Sequence, residues 1–247
     1  MRPDVLAPAP RHHDPLPAGH PCLGCEVRSL AVCGVLDGLE LAQLKGLGWQ
    51  LNLSAGQPLF HEGDPATRVF TLTSGTLKLY KLLPDGRRQV TGFMHPGDFL
   101  GISVADEHAF TAEALGPAQL CWFARNRFDD FMDGHPEMER ELYRLAAHEL
   151  AAAQQQMVLL GRKSAAERMA SFLIMLAEKA QRRLRETRFV ELPMTRTDIA
   201  DYLGLTKETV SRVLSLLRRD RLIRLEALDK IEILDRDALE QAADCAA

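Results

Sequence analysis

Between Asn52 and about Phe123 the chain runs in short stretches that mix apolar and polar residues, such as Val69-Phe70-Thr71-Leu72 and Leu77-Lys78-Leu79-Tyr80. Turn signals punctuate them: Ser54-Ala55-Gly56, Glu62-Gly63-Asp64, Ser74-Gly75, Pro84-Asp85-Gly86 and Pro96-Gly97-Asp98. Short strands at this spacing predict a small antiparallel barrel or roll. Upstream, Leu36, Leu39, Leu41, Leu44 and Leu47 follow a helical pattern. Downstream, residues 126–161 read as one long helix. Along it Tyr143, Ala146, Leu150, Ala153, Met157 and Leu160 step by 3, 4, 3, 4 and 3, a heptad-like seam. Met138, Leu142, Leu145 and Leu159 lie on a second stripe. A single helix packed on its own roll needs only one stripe. Two stripes need two partners, so one is expected to meet the roll and the other a second copy of the chain.

The rest of the chain begins with a helix near residues 164–185 and a short strand at 188–192. Two compact helices joined at Gly204 follow, then a two-stranded wing at 222–234, where Ile223, Leu225, Ile231 and Ile233 alternate around Ala227-Leu228-Asp229. The first 21 residues hold six prolines and little apolar content, the texture of a disordered leader. The expected organisation is therefore a leader (1–21), a cysteine cluster plus roll (22–125), a dimerisation helix (126–161) and a winged helix-turn-helix domain (162–247). The fold class is α+β, with a jelly-roll-like antiparallel β-roll at the N-terminal side.

Composition narrows the picture. Of 247 residues, 46% are hydrophobic and 26% charged, which excludes wholesale disorder. No apolar run approaches the ~18 residues that span a bilayer, and the N-terminus lacks a secretory apolar region. A cytoplasmic protein without membrane contact is expected, so the cysteines are not read as a disulfide framework. No Ser/His/Asp set, phosphate-cradling glycine loop or catalytic carboxylate pair stands out, so the chain is not read as an enzyme. The net charge of −4 argues against a polyanion partner, but its distribution argues for one. Residues 162–224 carry 15 Lys+Arg and 8 Asp+Glu (15 − 8 = +7), whereas residues 1–161 carry 13 and 19 (13 − 19 = −6). Polyanion contact follows local charge.

Within the basic segment, Thr195 reads as an N-cap with Asp198 three residues on, a near capping box. Ile199, Ala200 and Leu203 supply an apolar face, and Gly204 permits the left-handed turn that ends the helix. Thr206 caps a second helix, Lys207 to about Arg219, with Val210, Leu214 and Leu217 buried. This is a helix-turn-helix. On the second helix Glu208, Ser211 and Arg212 project together near its N-terminus, the end that recognition helices present to base edges. Arg can bond guanine O6 and N7 while Glu accepts from cytosine N4, so Arg212 and Glu208 are expected to read one G·C pair jointly. Arg196, Lys207, Arg218, Arg219 and Arg221 are placed for phosphates. The bland alternative is a solvated helix with a Glu208–Arg212 ion pair.

Cys22-x2-Cys25-x7-Cys33 forms a tight cluster, Cys121 lies far off, and Cys245 near the end reads as incidental. Four thiolates suit tetrahedral zinc or an iron–sulfur cluster, and a dithiol redox sensor is a third use. The spacing does not separate these.

The run from Met194 to Arg212, MTRTDIADYLGLTKETVSR, closely resembles the helix-turn-helix of the cAMP receptor protein superfamily. The Glu-x-x-Ser-Arg signature and the Cys-x2-Cys with a third cysteine resemble its fumarate and nitrate reduction regulator branch. The likeness covers nearly the whole chain after the leader. It implies an oxygen-labile [4Fe–4S] cluster on Cys22, Cys25, Cys33 and Cys121. It also implies a homodimer that binds a palindromic duplex resembling TTGAT…ATCAA, with DNA contacts from Thr195, Arg196, Thr206, Lys207, Glu208, Thr209, Ser211, Arg212 and Arg218. It further implies work with RNA polymerase, for which the Pro84-Asp85-Gly86-Arg87-Arg88 hairpin resembles an activating loop. Two departures stand out. The gap from Cys25 to Cys33 is longer than in the enteric regulator, and Ala153 sits in the seam where that protein has an aspartate. The superfamily's cyclic-nucleotide branch carries an arginine for the phosphate. Here Gly101-Ile102-Ser103 and Glu107-His108-Ala109-Phe110-Thr111 hold none, so no cyclic nucleotide is expected. His20, His61, His95 and His108 are read as ordinary polar residues rather than haem ligands.

Overall fold

A computed structural model of the protein describes residues 16, 18–102, 106–184, 188–227 and 229–244, with the backbone alone at 182–184. The alternating stretches fold into two antiparallel four-stranded sheets. One has the order β1 (Gly48–Leu53), β8 (Ala118–Ala124), β3 (Arg68–Ser74) and β6 (Phe99–Leu100). The other has the order β2 (Pro58–Phe60), β7 (Thr111–Ala114), β4 (Leu77–Leu82) and β5 (Arg88–Met94). Their inner faces meet in a core of Leu53, Phe60, Phe70, Leu72, Leu77, Met94, Leu100 and Leu120. This is the roll that the alternation predicts.

A second apolar layer lies outside the roll. Helix α1 (Gly38–Gly46) opens on a full capping box, in which Asp37 accepts from the Glu40 amide at 2.8 Å and Glu40 accepts from the Asp37 amide at 2.9 Å. Its Leu41 and Leu44 pack with Leu36, Val32, Val69 and Phe123. Leu39, placed on the same stripe by the sequence pattern, is 63% exposed instead. Two positions before Leu41, Leu39 lies roughly 200° away around the helix, on the side opposite the Leu41 and Leu44 stripe. Leu16 is also buried in this layer. Leu16 falls within the stretch 1–21 that the sequence predicts as a disordered leader, and its side chain joins this buried cluster. Residues 1–15 and 17 lie outside the described residues.

The long helix of the sequence reading is two helices, α2 (Arg125–Asp133) and α3 (Pro136–Arg162). The break falls at Gly134-His135-Pro136. Proline has no amide to continue the ladder and suits the first turn of a new helix, which is where Pro136 stands. Met138, Leu142 and Leu145 join the outer layer with Phe128 and Phe131, whereas Leu159 packs at the far end against the C-terminal domain.

That domain contains α4 (Ala165–Leu184), β9 (Phe189–Glu191), α5 (Arg196–Leu203), α6 (Lys207–Arg219), β10 (Ile223–Ala227), β11 (Lys230–Ile233) and α7 (Arg236–Asp244). The wing has three strands rather than two, in the order β10-β11-β9, because the isolated strand pairs with β11 through Ile231↔Val190. Helix α7 is an element the sequence reading left out. It buries Leu239 and Ala243 in the same core as α4. Among the described residues no helix is long and apolar enough to cross a membrane.

Candidate functional site

The helix-turn-helix is built by local chemistry. Thr195 caps α5, its hydroxyl accepting from the Asp198 amide at 3.1 Å while the Asp198 carboxylate accepts from the Thr195 amide at 3.0 Å. Gly204 ends α5 at φ 61°, ψ 42°, a left-handed pose that strains any residue with a Cβ, with the ends of the Arg168 and Leu160 side chains beside it. Thr206 caps α6 by accepting from the Thr209 amide at 3.2 Å. Val210, Val213, Leu214 and Leu217 then sink into the domain core with Ile199 and Leu203.

The burial of that stripe turns the rest of α6 outward. Lys207, Glu208, Ser211, Arg212, Ser215, Arg218 and Arg219 are exposed. The Arg212 guanidinium donates to the Thr209 hydroxyl at 3.1 Å. The Glu208–Arg212 pair of the bland reading is not formed, and the Glu208 carboxylate is left facing solvent. Ser211 and Ser215 return their hydroxyls to the backbone of the preceding turn, at 3.0 Å each. Arg219 pairs with Asp220 at 3.1 Å, and Arg196 is half-buried, its pKa lowered by desolvation. The outward face is thus a cationic, hydroxyl-bearing strip on a rigid helix, the chemistry for phosphates and base edges.

The cysteine residues also come together. Cys22 follows Pro21 in a short 3-10 turn, Cys33 lies in a second, and Cys121 sits in β8 opposite Gln50 and Thr71. Cys22, Cys33 and Cys121 pack on the outer apolar layer, and each is partly buried. The sulfurs lie close enough to feel one another's charge. Burial pushes the Cys33 thiol up to about 12, with Cys25, Cys22 and Cys121 adding to the rise. Burial also raises Cys22 and Cys121, while the Lys45 ammonium opposes the rise at both. Lys45 donates to the Cys121 sulfur at 3.9 Å. Neither sequence pattern nor spacing marked Lys45. Among the described residues no group of three or more His, Cys, Asp or Glu is closed to metal-ligating geometry. Cys245 lies outside the described residues.

On α3 the seam residues Tyr143, Ala146, Leu150, Ala153 and Met157 are exposed, with Tyr143 at 78%, Leu150 at 62% and Met157 at 71%. Leu160 departs from them. It packs against its own C-terminal domain, beside the turn at Gly204.

A β-roll, a long helix and a winged helix-turn-helix with a basic outward face define a DNA-binding transcription regulator rather than an enzyme. Residues 167–242 match the Crp-like helix-turn-helix domain, and residues 50–135 the cyclic nucleotide-binding domain. The chain is 45% identical over 203 residues to the nitrogen fixation regulation protein FixK of Bradyrhizobium diazoefficiens, covering 82% of this chain and 86% of the relative. It is 38% identical over 230 residues to the transcriptional activator protein FnrL of Cereibacter sphaeroides, covering 91% and 93%. The structure of FixK2 from Bradyrhizobium japonicum superposes with a TM-score of 0.74 at 35% identity, over 81% of this chain and 99% of that one. The chain belongs to the CRP/FNR superfamily of transcription regulators.

Proposed function

We propose that the protein is an oxygen-responsive regulator that binds a palindromic promoter site as a homodimer, carries a [4Fe–4S] cluster on Cys22, Cys25, Cys33 and Cys121, and works with RNA polymerase. One observation carries the reading. Cys22, Cys33 and Cys121 share an apolar layer with Met138, Leu142 and Leu145 at the start of α3, and Cys25 stands near enough to raise the other three thiols. A group that ties the two cysteine turns to the rigid strand β8 therefore also props the helix that bears the exposed seam. The donor set fits: four soft sulfur ligands, with neither carboxylate nor imidazole among them, and Lys45 beside them to offset negative charge. When bound, such a cluster supplies reactivity toward oxygen.

A zinc- or thiol-based redox regulator on the same scaffold is the second reading, because zinc and a dithiol pair would use the same cysteines. On this reading cyclic nucleotide is not the effector. The loop that would meet a phosphate offers no arginine among its described residues, and the buried His108 ring stacks on Phe60 at 3.6 Å.

The test is a set of five single Cys→Ser variants purified without oxygen. Substitutions at 22, 25, 33 and 121 should lose iron, sulfide and binding to the palindrome, and Cys245→Ser should match the parent. A parent that holds only zinc removes oxygen sensing from the reading and leaves DNA binding in place. A full cluster in Cys121→Ser removes that residue from the ligand set.

A further inference from the structure

Helix α5 is held at both ends, by the roll at one and by α3 and α4 at the other. At its N-terminal end the roll reaches across. Arg88 of β5 donates through Nη2 to Asp198 Oδ1 at 2.7 Å and through Nε to Asp201 Oδ2 at 2.8 Å. Lys78 of β4 donates to the same Asp198 oxygen at 3.2 Å and pairs with Glu113 of β7 at 2.9 Å. The Gln89 amide donates to the Asp201 carbonyl at 2.7 Å. The other oxygen of Asp198 accepts the Thr195 amide and, at 2.6 Å, the Thr195 hydroxyl. One buried carboxylate thus caps α5 and receives the roll. Phe93 of β5 completes the contact against Tyr202 and Phe172, with centroids 5.2 and 6.1 Å away.

At the C-terminal end the grip comes from α3 and α4. The Gln156 amide donates to the Tyr202 carbonyl at 2.9 Å. Arg168 donates to the Leu203 carbonyl at 2.8 Å, to the Leu160 carbonyl at 2.9 Å and to the Lys163 carbonyl at 2.9 Å. It ties the turn of the helix-turn-helix to the end of α3.

Buried ion pairs add little net stability, because desolvation offsets their attraction, but they penalise every pose in which they are unpaired. The chain passes from α3 to α4 through a short join, Lys163, whose backbone is extended, and Ser164. Without side contacts the domain would swing there. A palindrome demands two recognition helices at a fixed separation. We infer that Arg88, with Lys78, is a positioning residue for DNA recognition. It fixes α6 through Asp198 and Asp201 of α5, so the roll sets the angle of the reading helix without touching DNA. This rests on the DNA-binding half of the proposed function and not on the cluster.

The test compares Arg88→Ala, Asp201→Ala, the double variant and Arg88→Lys in the full chain. Asp201 is the partner of choice because Asp198 also caps α5. Binding to a duplex carrying TTGAT…ATCAA is followed by anisotropy across a salt series. Each single alanine variant should weaken binding about tenfold, and the double no more than the worse single, the sign of an interaction lost once. Arg88→Lys should keep part of the affinity, since one donor replaces a fork. The salt slope should stay that of the parent. Additive losses, unchanged or tighter binding, or a slope shallower by about one unit, the mark of a phosphate contact, overturn the inference. Amide exchange over residues 195–204 without DNA should speed up in both single variants, and unchanged protection overturns it as well. Because exchange needs neither DNA nor cluster, failure of the parent to bind the palindrome counts against the proposed function alone.

Discussion

Helices α3 and α6 each bury one stripe and leave the opposite face bare, yet the bare faces differ in kind. That of α6 carries Lys207, Glu208, Ser211, Arg212 and Arg218, groups that stay hydrated until a charged partner replaces the water. That of α3 carries Tyr143, Leu150 and Met157, apolar groups whose exposure costs free energy for as long as they remain in water. The first face suits a duplex that is bound and released. The second suits a second copy of the same helix. The two faces are joined by α5, which sits on α6 and takes bonds from Gln156 of α3 and Arg168 of α4.

The comparison breaks most sharply at α3. Leu150→Glu or Met157→Glu should cost about 3–5 kcal/mol of association, the penalty of an uncompensated buried charge. Sedimentation should then show monomer, with tight palindrome binding lost although α6 is untouched. An intact dimer in both variants moves the interface off this seam. On α6 the expected effect is smaller and selective. Arg212→Ala should cost about 1–3 kcal/mol and relax preference at one G·C pair per half-site, measured by binding to a panel of altered duplexes. Equal weakening on every duplex would make Arg212 a phosphate contact instead. Arg218→Ala should give that uniform pattern, with a salt slope shallower by about one unit.

The smallest effect concerns the joint. Burial by itself would raise the Asp198 carboxyl, but the Thr195 hydrogen bonds and the Lys78 ammonium outweigh it and hold the pKa below the usual aspartate range. A folded pKa below the unfolded one, about 3.9, gives stability that is complete above that pH and lost as pH falls through the depressed value. Thermal unfolding of the parent should therefore weaken between about pH 4 and the lower folded pKa, and Asp198→Asn should remove that part of the slope. An unchanged slope in the variant would place the acid sensitivity elsewhere.

Local signals carried the reading of the helix-turn-helix. Thr195, Gly204 and Thr206 act on amides and torsions within a few residues of themselves, and the Val210, Leu214, Leu217 stripe follows from helical periodicity. The break at Pro136 was equally local, and the continuous apolar stripes on either side masked it. Leu160 shows the limit of periodicity. It keeps the seam's spacing, but the C-terminal domain folds back over it, and no pattern within α3 foretells which neighbour arrives first.

The sequence by itself determined the reading helix, its outward residues, the seam's spacing and the cysteine spacing, because each depends on groups a few positions apart. Only the tertiary structure decided that Lys45 stands beside Cys121, that Arg88 and Lys78 converge on Asp198, and that Arg168 bolts the turn at Gly204 to α3. Those partners are remote along the chain. A lysine or arginine on a strand reads as an ordinary solvated charge until the apolar surfaces around Phe93, Phe172 and Tyr202 close. Desolvation then leaves the charge one place to go.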